Sequence, residues 1–286
     1  MHYPKIVKPF LSIFNSFFAK PKLFTLLHFL SDFLTVFIYI RNMNTITFSK
    51  NKNSFFELTP LPVGIIAGCT GRAINSIDYN LANDQIRAQE KEILSSITQI
   101  NTKEIFTLEQ VHGDIIFTIE EIPKEPTTAY GAGDAIITNL SKVCLVIRTA
   151  DCVPILIADR KSRCIGAVHS GWKGTHLGIS GKTIAKMKEL YGCAGEDLLA
   201  FILPSIGPKS YEVNDDVAQY FPNHTIRQNG KLFVDLWASV IDSLLTQNIP
   251  PENIFNAGIC NRQNTADFFS HRFGDKGRNL NFIFKE

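Results

Sequence analysis

The stretch "CVPILIADRKSRCIGAVHS", residues 152–170, decides how the rest of the chain is read. Two apolar runs, Val153–Asp159 and Cys164–Ser170, flank a short polar segment, and this pattern predicts a β-hairpin. A turn through Asp159, Arg160, Lys161 and Ser162, centred between 160 and 161, sets Cys152 directly opposite His169. Directly opposed residues on antiparallel strands project to one face, with Cβ atoms about 4.5–5.5 Å apart. From there the thiol and the imidazole could share a metal ion or form a thiolate–imidazole pair. The plainer reading of Cys152 is a small buried thiol at a strand end. Polar residues surround the pair. Arg148 and Asp151 lie just before the cysteine, and "HSGWKGT", residues 169–175, adds Lys173 and Thr175 after the histidine. A strand-to-helix loop of this kind can aim backbone N–H groups at an anion.

Working outward, strands are expected over Glu104–Leu108, Ile115–Ile119, Asp134–Thr138, Val143–Thr149, Leu199–Leu203 and Lys231–Val234. Helices are expected over 83–99, capped by Asn83 or Asp84, over roughly 176–191, briefly from Asn214, and after a cap at Asp235. At the end of the chain Leu280, Phe282 and Phe284 alternate with their neighbours as in a half-buried strand. Strands in runs with helices interspersed argue for an α/β or α+β layered domain, not a doubly wound nucleotide-binding fold. Neither GxGxxG nor GxxxxGK[ST] occurs.

Composition narrows the function. At 286 residues with 45% hydrophobic and 20% charged content, the chain has the make-up of a globular protein. A formal net charge of +2 supplies no basic field for a nucleic-acid partner. The six cysteines form no CxxC pair, which fits reduced thiols in a cytoplasmic protein. Residues 1–42 form a hydrophobic extension. Their 18-residue apolar run at 23–40, broken by His28, Ser31 and Asp32, falls just short of the roughly 20 residues that span a bilayer. Three readings stand: translation beginning at Met43, a membrane anchor, or a core helix. The main domain is expected over 45–286.

A third donor lies in "LEQVHGDII", where His112 sits beside Gly113 between two strand-like runs. It reads either as a solvated loop residue or as the third member of a His–Cys–His set. Three protein ligands leave a fourth position open, which marks a catalytic rather than a structural zinc site.

The segments "LEQVHG", "DAIITN", "RTADCVPILIAD", "GAVHSGWKGT", "LPSIGPKSYEVNDDV" and "FFSHRFGDKGRNLNFIF" resemble, in this order, the laccase-domain family over roughly 60–286. Its members, formerly labelled multicopper polyphenol oxidases, are now described as purine nucleoside phosphorylases. The stretch "GCTGRAINSIDYNLAND", residues 68–84, departs from the family pattern. The resemblance implies one α/β domain of layered mixed β-sheets flanked by helices. It implies metal ligation by His112, Cys152 and His169, with zinc the expected ion and copper an alternative. It also implies phosphate-dependent cleavage of adenosine, inosine, guanosine or methylthioadenosine, with adenosine deamination in some members.

Such chemistry needs an anion site and charge stabilisation as the ribose becomes oxocarbenium-like. Arg148, Lys173, Arg272 and Arg278 are the expected cations, and Gln110 of the "LEQVHG" motif is a further substrate-binding candidate. Cys152, His169, Asp151 and Arg148 form the expected catalytic set. Asp151 could shuttle a proton in deamination, which needs a metal-activated water, or orient a ligand histidine. The HxE and PCxxC elements of zinc deaminases are absent. The expected partners are thus a purine nucleoside and phosphate, and a membrane only if residues 1–42 are translated.

Other readings remain. Cys152 could act as the nucleophile of an amidase editing peptidoglycan precursors, or the chain could bind metal without turnover. The legacy oxidase label fits poorly. Beyond the extension only five histidines remain (His112, His169, His176, His224 and His271), too few for a blue-copper site and a three-copper cluster together.

Overall fold

The computed structural model describes residues 47–50, 55–59, 61–72, 77–124, 127 and 129–286. The hydrophobic extension, residues 1–42, lies outside them. In chain order the elements begin with β1 (Thr47–Lys50), β2 (Phe55–Thr59), β3 (Ile65–Thr70), α1 (Asn83–Thr98), β4 (Ile105–Thr107) and β5 (Ile116–Ile119). There follow β6 (Ala135–Thr138), β7 (Val143–Thr149), β8 (Val153–Asp159), β9 (Ile165–Ser170), α2 (Trp172–His176) and α3 (Ile179–Tyr191). The last third holds β10 (Leu198–Ile202), β11 (Glu212–Val213), α4 (Asp215–Ala218), β12 (Thr225–Gln228), β13 (Lys231–Val234), α5 (Leu236–Leu245), β14 (Ile254–Asn256) and β15 (Asn279–Lys285).

Two six-stranded mixed sheets carry the fold, ordered β1-β2-β3-β15-β7-β4 and β14-β10-β8-β9-β6-β5. A small antiparallel sheet, β11-β13-β12, stands apart. Alternation along β7 shows how the layers form. Leu145 and Ile147 join Leu156, Ala167 and Phe201 of the second sheet in one core. Their neighbours Cys144 and Val146 point the other way, onto Leu94 of α1 and Ile100 just beyond it. Helix α3 covers the outer face of the second sheet, against β6 and β9, and packs on α5. The order is therefore helix, sheet, sheet, helices, and both sheets are apolar on two faces. The layered α/β architecture expected from the sequence is the one observed.

The hairpin forms, but with a shifted register. Pro154 pairs with His169 and Val153 with Ser170, so Cys152 does not sit directly opposite the histidine. The loop is longer than the expected turn. Asp159 N–H closes the ladder on Cys164 O at 3.1 Å, and the Asp159 carboxylate accepts the Arg163 backbone N–H at 3.0 Å and its Nε at 2.8 Å. The slip is two residues, an even number, so Cys152 and His169 keep a common face.

Three other expectations change. Helix α1 begins at Asn83 as expected, but its cap position is Ala82 and not Asn83 or Asp84, and Gln85 Oε1 accepts the Ala82 N–H at 3.2 Å. The helix expected over 176–191 is broken in two at Gly178, where φ is +75°. Strand β15 is not half-buried. It lies between β3 and β7, and Asn279 through Ile283 are all buried because layers cover both faces. The cap at Asp235 is as expected, its Oδ1 accepting Ala238 N–H at 3.0 Å.

Phe282 is fully buried at the centre of this arrangement, its ring edge-on to Phe55 with centroids 5.4 Å apart. Phe282→Ala should therefore lower stability by about 3–5 kcal/mol, read as a drop in the urea midpoint. A loss below about 1 kcal/mol would show that the site collapses around the deletion, or that the strand is not central.

Candidate metal centre and its cleft

Three elements deliver the donors. His112 comes from the loop after β4, Cys152 from the bend before β8, and His169 from β9. One ligand atom from each lies within 4.8 Å of the others, and the two imidazole rings are 4.8 Å apart and nearly perpendicular. Among the described residues this is the one group of three or more His, Cys, Asp or Glu donors so gathered. Gly171 makes the approach possible: a Cβ there would meet His112 Cδ2 at 3.0 Å and Cys152 Sγ at 3.1 Å. Two imidazoles and a thiolate in a tight cradle fit a bound transition metal with an open position.

The organising group is Asp134, which the sequence reading placed only as the start of a strand. Its carboxylate is fully buried and accepts Nδ1 of His169 at 2.7 Å. It also accepts the backbone N–H groups of His112 at 2.9 Å and Gly113 at 2.7 Å. His112 takes a left-handed backbone, φ 61°, to fit this arrangement. One carboxylate thus fixes the loop carrying one ligand and the ring orientation of another, and turns Nε2 of His169 toward the cluster. Burial works against the Asp134 charge, but His169 and the two N–H donors hold its carboxyl below the usual range.

Cys152 and His169 shift in opposite directions. Burial opposes the thiolate, yet the His169 charge and hydrogen bonds from both imidazoles bring the thiol down to about 6. Burial likewise opposes the imidazolium, and the Cys152 charge with the Asp134 hydrogen bond outweighs it, raising His169 to about 9. The metal-free pair is a thiolate–imidazolium couple near neutral pH.

Around the cluster lies a cleft of about 580 Å³. Gln110, Arg148, Asp151, Arg272 and Arg278 line it with the three donors, whereas Lys173 does not. Lys173 is exposed on α2, its ammonium 5.6 Å from the Trp172 ring centre. Gln110 exchanges two 2.8 Å hydrogen bonds with the backbone of Arg148, standing in for a strand residue. Asp151, at φ 93°, accepts Ser270 Oγ and the Arg272 backbone N–H, each at 2.7 Å, and so ties the cysteine bend to the C-terminal loop. The histidine is oriented by Asp134 instead. Arg148 pairs through Nε with buried Glu90 at 2.7 Å. Sequence reasoning missed the aromatic side of the cleft, Trp172 and Tyr211, and also Arg87. Trp172 stood beside the histidine motif, but nothing in the sequence says which way its ring faces.

Two outcomes follow from this geometry. In metal-free protein the thiolate absorbance near 240 nm, taken as a difference from Cys152→Ser, should titrate near pH 6; a midpoint near 8.5 would contradict the couple. The lowered thiol stabilises the fold above its unfolded value and loses that contribution as pH falls through about 6, while the raised imidazole loses its contribution as pH rises through about 9. Between roughly 6.5 and 9 the two slopes cancel, so the pair itself should leave stability flat there. Second, Asp134→Asn should weaken metal binding by about 10–100-fold in a chelator competition. An unchanged affinity would remove Asp134 from the account.

Residues 74–286 match the family described as multi-copper polyphenol oxidoreductase laccase. A protein of Clostridium acetobutylicum named purine nucleoside phosphorylase is 31% identical over 225 residues, covering 75% of this chain and 89% of that one. One of Bacteroides thetaiotaomicron with the same name is 38% identical over 148 residues, 49% of this chain and 55% of that protein, so the match spans about half of that relative. The crystal structure of YlmD from Geobacillus stearothermophilus superposes with a TM-score of 0.75 at 24% identity, covering 84% of this chain and 98% of that one, a likeness of fold. By its motifs and the extent of the match, the chain belongs to the multi-copper polyphenol oxidoreductase laccase family.

Proposed function

We propose that the chain is a metal-dependent purine nucleoside phosphorylase acting on adenosine, inosine, guanosine or methylthioadenosine. One observation carries the reading: a single cleft joins the His112–Cys152–His169 cluster to arginines and to an aromatic wall. Relatives bearing that enzyme name supply the reaction class.

The donor set suits zinc, and by the Irving–Williams order it would hold copper at least as firmly. When bound, the ion supplies a Lewis acid beside the substrate. Everything else is done by the chain. Trp172 and Tyr211 offer flat apolar faces to a purine, and Arg272 lies 5.1 Å above the Tyr211 ring centre, backing it. Arg148 and Arg278 present guanidinium groups to phosphate, with Arg148 held in place by Glu90. In phosphorolysis the C1′–N9 bond of the nucleoside breaks, a phosphate oxygen bonds to C1′, and the purine nitrogen takes a proton. Oriented phosphate and a clamped base lower the entropic part of that barrier. Asp151, its oxygens held by Ser270 and Arg272, acts here as a positioning residue. Adenosine deamination is a secondary activity in this proposal and needs a proton carrier other than that carboxylate. The domain is assigned to 45–286, in a cytoplasmic protein. Among the described residues no helix is long and apolar enough to cross a membrane.

A second reading has its own support. A thiol at about 6 beside a histidine is the pair a cysteine amidase uses. Metal ligation and nucleophilic attack exclude each other at one sulfur. Iodoacetamide loss of activity in metal-free protein would favour the amidase, and a requirement for metal would favour phosphorolysis.

Full-length protein purified without added copper should convert inosine and phosphate to hypoxanthine and ribose 1-phosphate, separated by chromatography. The Cys152→Ala, His169→Ala double variant should form neither. Product from both would place the activity elsewhere, and none from a folded, zinc-loaded parent would end inosine phosphorolysis as the main activity.

A further inference from the structure

Two of the six cysteines line no part of the cleft and face each other instead. Cys164 immediately precedes β9, and Cys193 follows the last turn of α3. Both are free thiols, and their sulfurs lie 2.9 Å apart. Among the described residues no other two cysteine sulfurs meet. The sulfurs of a disulfide are about 2.05 Å apart, so this pair needs to close by only about 0.9 Å.

The approach is held by the residues just before each cysteine. Arg163 donates Nη1 to Gly192 O at 2.8 Å, and Gly192 ends the helix in a left-handed backbone, φ 63°. The same guanidinium bonds both oxygens of Asp159 and Oδ2 of Asp197, the two carboxylates that act on the Cys193 charge. One arginine thus sets the spacing of the thiols and offsets the acids beside them. Reactivity divides between the two sulfurs. The Cys164 S–H donates to the Cys193 sulfur, so Cys193 ionises first, and the Arg163 charge adds to this against burial and the carboxylates. Cys164 is fully buried, while Cys193 keeps 5% exposure beside an arginine side chain that is 33% exposed. Cys69 and Cys144, equally buried but without a thiol partner, are pushed up by burial.

We propose that Cys164 and Cys193 form a peroxide-sensitive dithiol whose disulfide staples the start of β9 to the end of α3. The loop it closes carries His169, Gly171 and Trp172, so the oxidised form secures the segment that delivers one donor and one wall of the cleft. The site stands independently of the reaction assigned to that cleft. In the first step the Cys193 thiolate attacks an oxygen of hydrogen peroxide, the O–O bond breaks, and hydroxide leaves and is protonated to water. The Cys164 sulfur then attacks the resulting sulfenic acid, loses its proton and expels a second water as the S–S bond forms. Two thiols and one peroxide give one disulfide and two waters, and a dithiol reductant reverses the change. Disulfides of this transient kind are the ones found in reducing compartments.

The test treats zinc-loaded full-length protein with a few equivalents of hydrogen peroxide. Remaining thiols are then trapped with N-ethylmaleimide in denaturant, and the peptides are mapped without reductant. A peptide pair linked through Cys164 and Cys193 and released by dithiothreitol is expected, with free thiols falling from six to four. Closing a loop of this length should raise the melting midpoint of the oxidised protein at least about 5 °C above that of the reduced form. Cys193→Ser should keep its five thiols and show no such rise. The parent's peptide map needs no variant, so its outcome stands whether or not Cys193→Ser folds. Sulfinic acid at Cys193, oxidation confined to Cys152, or six free thiols after peroxide would each overturn the dithiol. A linked pair without a higher midpoint would overturn the staple.

Discussion

A carboxylate with no exposure to water, Asp134, holds the centre of the molecule together. It receives two backbone N–H groups from the loop of His112 and the ring N–H of His169. Those bonds join the turn after β4, the start of β6 and the end of β9 at one point. A charge this deeply buried is tolerable only because it is fully bonded. In return it dictates where two of the three donors sit, and its hydrogen bond adds to the Cys152 charge in raising His169. The cluster is thus built from behind, by a buried group that does not line the cleft.

Much of this was legible in the sequence. The two strands of the hairpin were plain because both are long apolar runs, and the common face of Cys152 and His169 survived an error in register. That error has a physical cause: periodicity locates strands but not the length of the loop between them, which here depends on the Asp159 carboxylate gripping Arg163. Strand β15 was misjudged for a related reason. Its alternation of apolar residues with Asn279 and Asn281 looks like a strand with one wet face, yet Asn281 is buried and bonds to Ile147 O and Thr149 Oγ1. Asp134 escaped notice because it read only as the first residue of a strand. Only the fold shows three donors converging on it.

The cations divide in the same way. Arg148, Arg272 and Arg278 reach the cleft, as their place in shared motifs suggested, while Lys173 sits one helical step away in the open. Arg87 lies in an ordinary-looking amphipathic helix whose buried residues include three charged ones, Arg87, Glu90 and Lys91. The description attached to the family also needs reading against the geometry. Among the described residues a single three-donor cluster is present, with donors for one ion. A multicopper oxidase needs further histidines gathered close by.

The central claim is that His112, Cys152 and His169 hold one ion together. X-ray absorption at the metal edge of the purified, metal-loaded protein tests it most directly. One sulfur at about 2.3 Å and two imidazole nitrogens at about 2.0–2.1 Å, at one zinc per chain, is the predicted shell. A shell of oxygen and nitrogen alone, with no sulfur, would show that Cys152 is not a ligand and contradict the account.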